Sequence, residues 1–119
     1  MKIEVLVSTM HQKNTDLIDK MNLKTDAVIV NQTDFNDFKE IKINNGCIKF
    51  YSLNERGVAK SRNTALKHAD ADICILADDD MLFVDNYEEI ARTVFTEHSD
   101  ADVVIFNLFE DNDDLNRKN

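Results

Sequence analysis

Three consecutive carboxylates, Asp78-Asp79-Asp80, close an apolar run, Ile73-Cys74-Ile75-Leu76-Ala77. Two carboxylates about 4 Å apart repel by roughly 4 kcal/mol at an effective dielectric near 20. Such crowding points to a shared proton or a bound cation. Clustered hard oxygens suit Mg²⁺ or Mn²⁺, ions that bring phosphates with them. The plainer reading of the same triplet is an acidic turn capping the next helix.

The elements around the triplet decide between the two. Ile73 to Ala77 has the length and β-branching of a buried strand, so the carboxylates sit at the mouth of a sheet. Ile3 to Val7 and Ala27 to Val30 are further strands of this kind. Asn14 is placed to cap a short helix that carries Leu17, Ile18 and Met21. Phe35 and Phe38 mark a short irregular or helical piece. Asn45-Gly46 predicts a hairpin turn with positive φ at both residues, joining Ile41–Ile43 to Cys47–Tyr51. Gly57 opens a helix with Val58, Arg62, Ala65, Leu66 and Ala69 at helical spacing. Asp85 and Glu88 have capping-box-like spacing ahead of Tyr87, Ile90, Ala91, Val94 and Phe95. Val103 to Phe106 is the last strand expected. Residues 1–109 are expected to form one α/β domain and 110–119 a polar, acidic tail. Strands alternating with helices predict a Rossmann-like, mostly parallel sheet with helices on both faces. Ligands of such sheets bind beyond the carboxyl ends of the strands. Those ends carry Ser8-Thr9, Asn31-Gln32, Asn54-Glu55, the acidic triplet and Asn107.

With 119 residues the chain is long enough for one domain and one core. A formal net charge of −9 argues against a nucleic-acid backbone or an anionic membrane as a direct partner. A phosphate ligand then needs a metal or a few placed cations. There is no proline and only two glycines, Gly46 and Gly57, too few for a P-loop or a dinucleotide fingerprint. Cys47 and Cys74 are expected as buried free thiols in a reducing compartment. Met1-Lys2 runs straight into a strand with no leader pattern, and no segment reaches the length of a membrane span. A cytoplasmic protein is expected, with peripheral membrane association left open.

Asn54-Glu55-Arg56-Gly57-Val58-Ala59-Lys60-Ser61-Arg62-Asn63, then a helix, an apolar strand and Asp78-Asp79-Asp80, resembles family 2 glycosyltransferases of the GT-A fold. The resemblance covers about residues 3 to 107. It implies a nucleoside diphosphate sugar donor, usually UDP-linked, a divalent cation (Mn²⁺ or Mg²⁺) and a hydroxyl acceptor. By position it makes Asp80 the main metal ligand and Asp78 a ligand of the metal or ribose, with Asp79 in support. Ser8 and Thr9 face base and ribose, and Asn31 and Gln32 stand where the family reads the base. Arg62 is expected to be partly covered and to meet the acidic cluster or the base. Gly57 and Asn63 shape the loop and helix, Lys60 is solvated, and His11 lines the pocket. His68 and His98 are expected as exposed helix-end residues.

This sequence departs from the family twice. The second strand ends in amides where the family has aspartates, and amides can still pair with uracil. Residues 110–119 are not expected to supply the acceptor site and catalytic base of the family's second half, although Glu110 and Asp111 are carboxylates. The expectation is a nucleotide-sugar-binding half, with exposed apolar edge surface that favours self-association. A non-catalytic nucleotide- or metal-binding module of the same fold is the alternative. A phosphoacceptor receiver domain is disfavoured, because it needs acidic residues where the first strand ends in Ser8-Thr9.

Overall fold

The computed structural model describes residues 2–98 and 109–110. In chain order the elements are β1 (Ile3–Met10), α1 (Leu17–Lys20), β2 (Asp26–Gln32), β3 (Asp37–Ile43), β4 (Gly46–Leu53), α2 (Val58–Lys67), β5 (Ile73–Asp78), β6 (Leu82–Phe83), α3 (Tyr87–Glu97) and β7 (Phe109–Glu110). Five strands form one sheet in the order β3-β4-β2-β1-β5, and β6 pairs with β7. β1, β2, β4 and β5 are parallel, while β3 runs antiparallel to β4. The fold is therefore the expected α/β architecture with a mostly parallel sheet.

Strands β1 and β2 lie in the middle and are covered on both faces, which is why they are nearly continuous apolar runs. Val5, Val7, Ala27 and Ile29 pack with Leu17, Ile18, Met21, Tyr87 and Ala91, on the α1 and α3 side. Leu6, Val28 and Val30 pack with Ala65 of α2 on the other. Helix α2 buries only Ser61 and Ala65, small side chains that let it lie close to β1 and β2. The outer face of β5 is left open there: Cys74 is exposed and Leu76 is 54% exposed.

Two side chains hold α3 and β6 in place. The Tyr87 hydroxyl, fully buried, accepts the backbone N–H groups of Lys24 and Thr25 at 2.9 and 3.0 Å and shares a proton with the Thr25 hydroxyl at 2.7 Å. Burial pushes this phenol upward from its ordinary value. Asn22, at φ 60°, donates to the Phe83 carbonyl at 2.9 Å and to Asp85 at 2.8 Å, while the Phe83 N–H bonds to the Met21 carbonyl at 3.0 Å.

Several local expectations change. Phe38 belongs to β3, opposite Tyr51, with ring centroids 4.7 Å apart. The strand's Asp37–Glu40 part faces solvent, so no apolar alternation announces it ahead of the expected Ile41–Ile43. The hairpin forms one residue earlier than predicted: Ile43 pairs with Gly46, so Asn44 and Asn45 make the turn, and none of these residues has positive φ. Gly46 is needed for space instead. A Cβ there would lie 2.6 Å from the Asp26 carboxylate, which accepts the Cys47 N–H at 2.8 Å. Gly57, at φ 113°, does open α2. Asp85 and Glu88 form no capping box: Asn86 is the N-cap without a side-chain bond, Asp85 serves Asn22, and Glu88 pairs with Arg92. Asn14 accepts the Asp16 N–H at 3.0 Å, just ahead of α1. The thiols are not buried: Cys47 is half-buried on the hairpin and Cys74 is exposed on β5. The predicted Val103–Phe106 strand lies outside the described residues.

Candidate functional site

Because β1, β2, β4 and β5 are parallel, their carboxyl ends share one edge. The ladder puts Ser8 beside Asp78, Thr9 beside Asn31, and Asn31 beside Ser52. The polar residues ending separate strands thus become neighbours across the sheet.

The acidic triplet spans the end of β5 and the turn after it, closed by a Met81 N–H to Asp78 carbonyl bond of 3.2 Å. Its carboxylates have separate fates. Asp78 meets Arg62 of α2 at 3.4 Å, with both side chains about half exposed (52% and 50%). A long, solvated pair of this kind contributes about 0–1 kcal/mol to stability, so its orientation is free to change for a ligand. Arg62 is less covered than the sequence suggests, because α2 packs over β1 and β2 and leaves its flank toward β5 open. Asp79 accepts the Thr9 hydroxyl at 2.8 Å, and Thr9 in turn accepts the Gln12 side-chain amide at 3.0 Å. Asp80 is exposed and makes no hydrogen bond or ion pair among the described residues. The hard oxygen donors fit Mg²⁺ or Mn²⁺ in kind. Among the described residues, no group of three ligating side chains is already gathered around one point.

The strand-end amides are turned inward. Asn31 is fully buried, with Oδ1 accepting the Gln12 N–H at 2.9 Å and Nδ2 donating to the Gln12 carbonyl at 3.0 Å and to Ser52 Oγ at 3.1 Å. Gln32, 2% exposed, donates to the Gly57 carbonyl at 2.9 Å, tying the end of β2 to the start of α2. Asn63 and Lys60 lie on the exposed side of α2, and Lys60 pairs with Glu55 at 3.6 Å. Ser61 of the same helix is 2% exposed with an unpartnered hydroxyl.

His11 follows β1 at φ 55°, exposed, its N–H bonded to the Gln32 carbonyl at 2.9 Å. His68 caps α2 and stacks on Tyr51 with centroids 4.3 Å apart, half-buried rather than exposed. His98 ends α3, exposed. A hollow of about 250 Å³, measured out to its open mouth, adjoins the edge between the loop after β1 and the β3–β4 pair. Phe50 and Ser52 line it, with Gln12, Lys13, Phe35 and Lys39.

Sequence reasoning missed Gln12, Ser52 and the role of Arg56. Arg56 donates to the Thr33 carbonyl at 2.8 Å and pairs with Asp34 at 2.8 Å, fastening the segment after β2 to the approach of α2. A cation just before the helix-opening glycine was the one available signal; nothing local marks Gln12 or Ser52.

Among known proteins, the model described as Glycosyl transferase family 2 matches residues 33–119. No curated protein and no solved structure matches the chain.

Proposed function

The chain belongs to glycosyl transferase family 2, and from that we propose that its strand edge binds a nucleoside diphosphate sugar, UDP-linked, for transfer of the sugar to a hydroxyl acceptor. Membership sets aside the phosphoacceptor alternative. The observation that carries the reading is the meeting of Arg62 with Asp78 at 3.4 Å, at the carboxyl edge of a parallel sheet. This places one cation against the acidic turn of a chain whose net charge is −9. A diphosphate approaching that edge meets repulsion unless positive charge is supplied locally.

In this reading Arg62 swings from Asp78 to the diphosphate, where its planar fork pairs with phosphate oxygens. Ser8 and Thr9 line the base and ribose side, Gln32 stays buried on the Gly57 carbonyl, and Asp78 takes a ribose hydroxyl or the cation. Asn31 is left out of the contact set, because its amide is committed inside the chain. Asp78 and Asp80 would hold Mn²⁺ or Mg²⁺, which when bound offsets charge on the departing nucleotide. The reaction breaks the bond from the anomeric carbon to the diphosphate oxygen and forms one to the acceptor oxygen, with inversion. The acceptor hydroxyl passes its proton to a general base outside the donor site, and the nucleoside diphosphate departs. We assign this chain the donor side of that reaction.

The test is a thermal-shift and calorimetry series with UDP, several UDP-sugars and ADP, with and without Mn²⁺. Ligand at about 100 times its dissociation constant should add roughly 2.7 kcal/mol to the folded state. Metal-dependent binding with UDP modestly ahead of ADP is expected. A clear preference for ADP overturns the uridine assignment, and no nucleotide binding overturns the donor reading.

A further inference from the structure

The Asn31 side chain has only one orientation that its surroundings accept. The Gln12 N–H can only donate, so Oδ1 must face it, and the Gln12 carbonyl can only accept, so Nδ2 must face that. The bonds are 2.9 and 3.0 Å, and the second amide proton goes to Ser52 Oγ at 3.1 Å. An amide thus closes on both ends of one residue's backbone, at full burial. The gripped residue follows His11, held at φ 55°, a region that non-glycine residues seldom occupy. The Gln12 side chain then donates to Thr9 Oγ1 at 3.0 Å, and Thr9 donates to Asp79 at 2.8 Å. With its acceptor side taken by Gln12, the Thr9 proton is directed at the carboxylate.

We propose that Asn31 is a positioning residue for the nucleotide site: by clamping the Gln12 backbone it orients Gln12 and Thr9, and through them fixes Asp79 in the acidic turn. This rests on the donor reading above. The clamp needs an amide in particular. Aspartate keeps the acceptor for the Gln12 N–H but, ionised, sets an oxygen against the Gln12 carbonyl. Ser52 takes no part in the relay, and its bond to Asn31 serves stability alone.

The experiment compares wild type with Asn31→Asp, Gln12→Leu and Ser52→Ala, using UDP with Mn²⁺ as the probe. Gln12→Leu cuts the relay at a half-buried residue without burying a charge, so it remains informative should Asn31→Asp unfold. Asn31→Asp and Gln12→Leu should each weaken binding by about tenfold or more, and their double mutant should lose far less than the product of the two. Ser52→Ala should bind within about twofold of wild type while melting earlier. Hydrogen exchange at the Gln12 amide should be slow in wild type and faster in Asn31→Asp, with or without nucleotide, because repulsion at the Gln12 carbonyl loosens the N–H bond that remains. Wild-type affinity in both relay variants overturns the proposal. So does an equal loss in Ser52→Ala, which would reduce Asn31 to a structural role, or a rapidly exchanging Gln12 amide in wild type. Absence of UDP binding by wild type removes the donor reading instead, and the role of Asn31 falls with it.

Discussion

Arg62 is the side chain on which the functional reading turns. Its contact with Asp78 is too long and too solvated to matter much for folding. Arg62→Leu should therefore melt close to wild type yet weaken UDP binding by about tenfold. Arg62→Lys should rescue poorly if the phosphate contact is bidentate. Undiminished affinity in both, by calorimetry, would return Arg62 to the solvent. Tyr87 presents the reverse balance, since its hydroxyl satisfies the buried Thr25 N–H and the part-buried Lys24 N–H, neither in the acidic turn. Tyr87→Phe strands both donors and should cost about 1–3 kcal/mol by chemical denaturation. The phenol also gives an alkaline signature. Its folded pKa lies above the ordinary value near 10, so the folded state holds the proton longer than the unfolded chain. Stability from this source is intact below pH about 10 and falls as pH rises from there toward the folded value. Tyr87→Phe should flatten that part of the profile.

Among the elements, α2 shows how much of the fold is written locally. Its opening glycine was legible, but its inner face was not: the spacing pointed to Val58, Arg62, Ala65 and Leu66, and of these only Ala65 is buried, beside Ser61. The two glycines make the contrast clear. Gly57→Ala meets only the Lys60 Cβ at 3.9 Å, so its penalty, on the order of 1–3 kcal/mol, comes from the φ of 113°. Gly46→Ala has an ordinary φ and should lose a similar amount, about 1–3 kcal/mol, because its Cβ would press on the Asp26 backbone nitrogen at 2.8 Å. Thermal melts of the two variants with Asp26→Ala added test this: neither penalty should be relieved, and recovery in Gly46→Ala would trace its cost to the Asp26 carboxylate instead. The first cause can be guessed from a glycine before a helix. The second depends on which strand passes behind the hairpin, which no local pattern records. Only the Ile41–Ile43 end of strand β3 was expected, and its Asp37–Glu40 part escaped notice for a related reason: an edge strand facing solvent has no apolar period. The Asn31 clamp joins positions nineteen apart and exists only once β1 and β2 are in register. Ser61 is a smaller case of the same kind, a polar residue on an inner face with no partner among the described residues. Ser61→Ala should stabilise the chain by about 1 kcal/mol through relief of an unmade hydrogen bond and better helix propensity.

For the whole molecule, the sheet is asymmetric in its cover. The α1 and α3 side is packed from β4 to β5, whereas α2 spans only the middle strands and leaves Leu76 54% exposed. Leu66 on α2 is 50% exposed. Leu76→Thr keeps β propensity while making that face polar, so it should shift the fold by less than about 1 kcal/mol and reduce concentration-dependent association. Sedimentation velocity over a concentration series would show this, and an unchanged profile would exonerate the face. The molecule's other asymmetry concerns the acidic turn. It is strung between β5, hydrogen-bonded into the sheet, and Phe83, which Met21 and Asn22 hold from the end of α1. A segment moored at both ends has already lost most of its freedom before any ligand arrives. Cation capture there should carry a small unfavourable entropy of ordering, and Asn22→Ala, which touches no carboxylate of the turn, should enlarge that entropy while leaving the enthalpy of coordination almost unchanged.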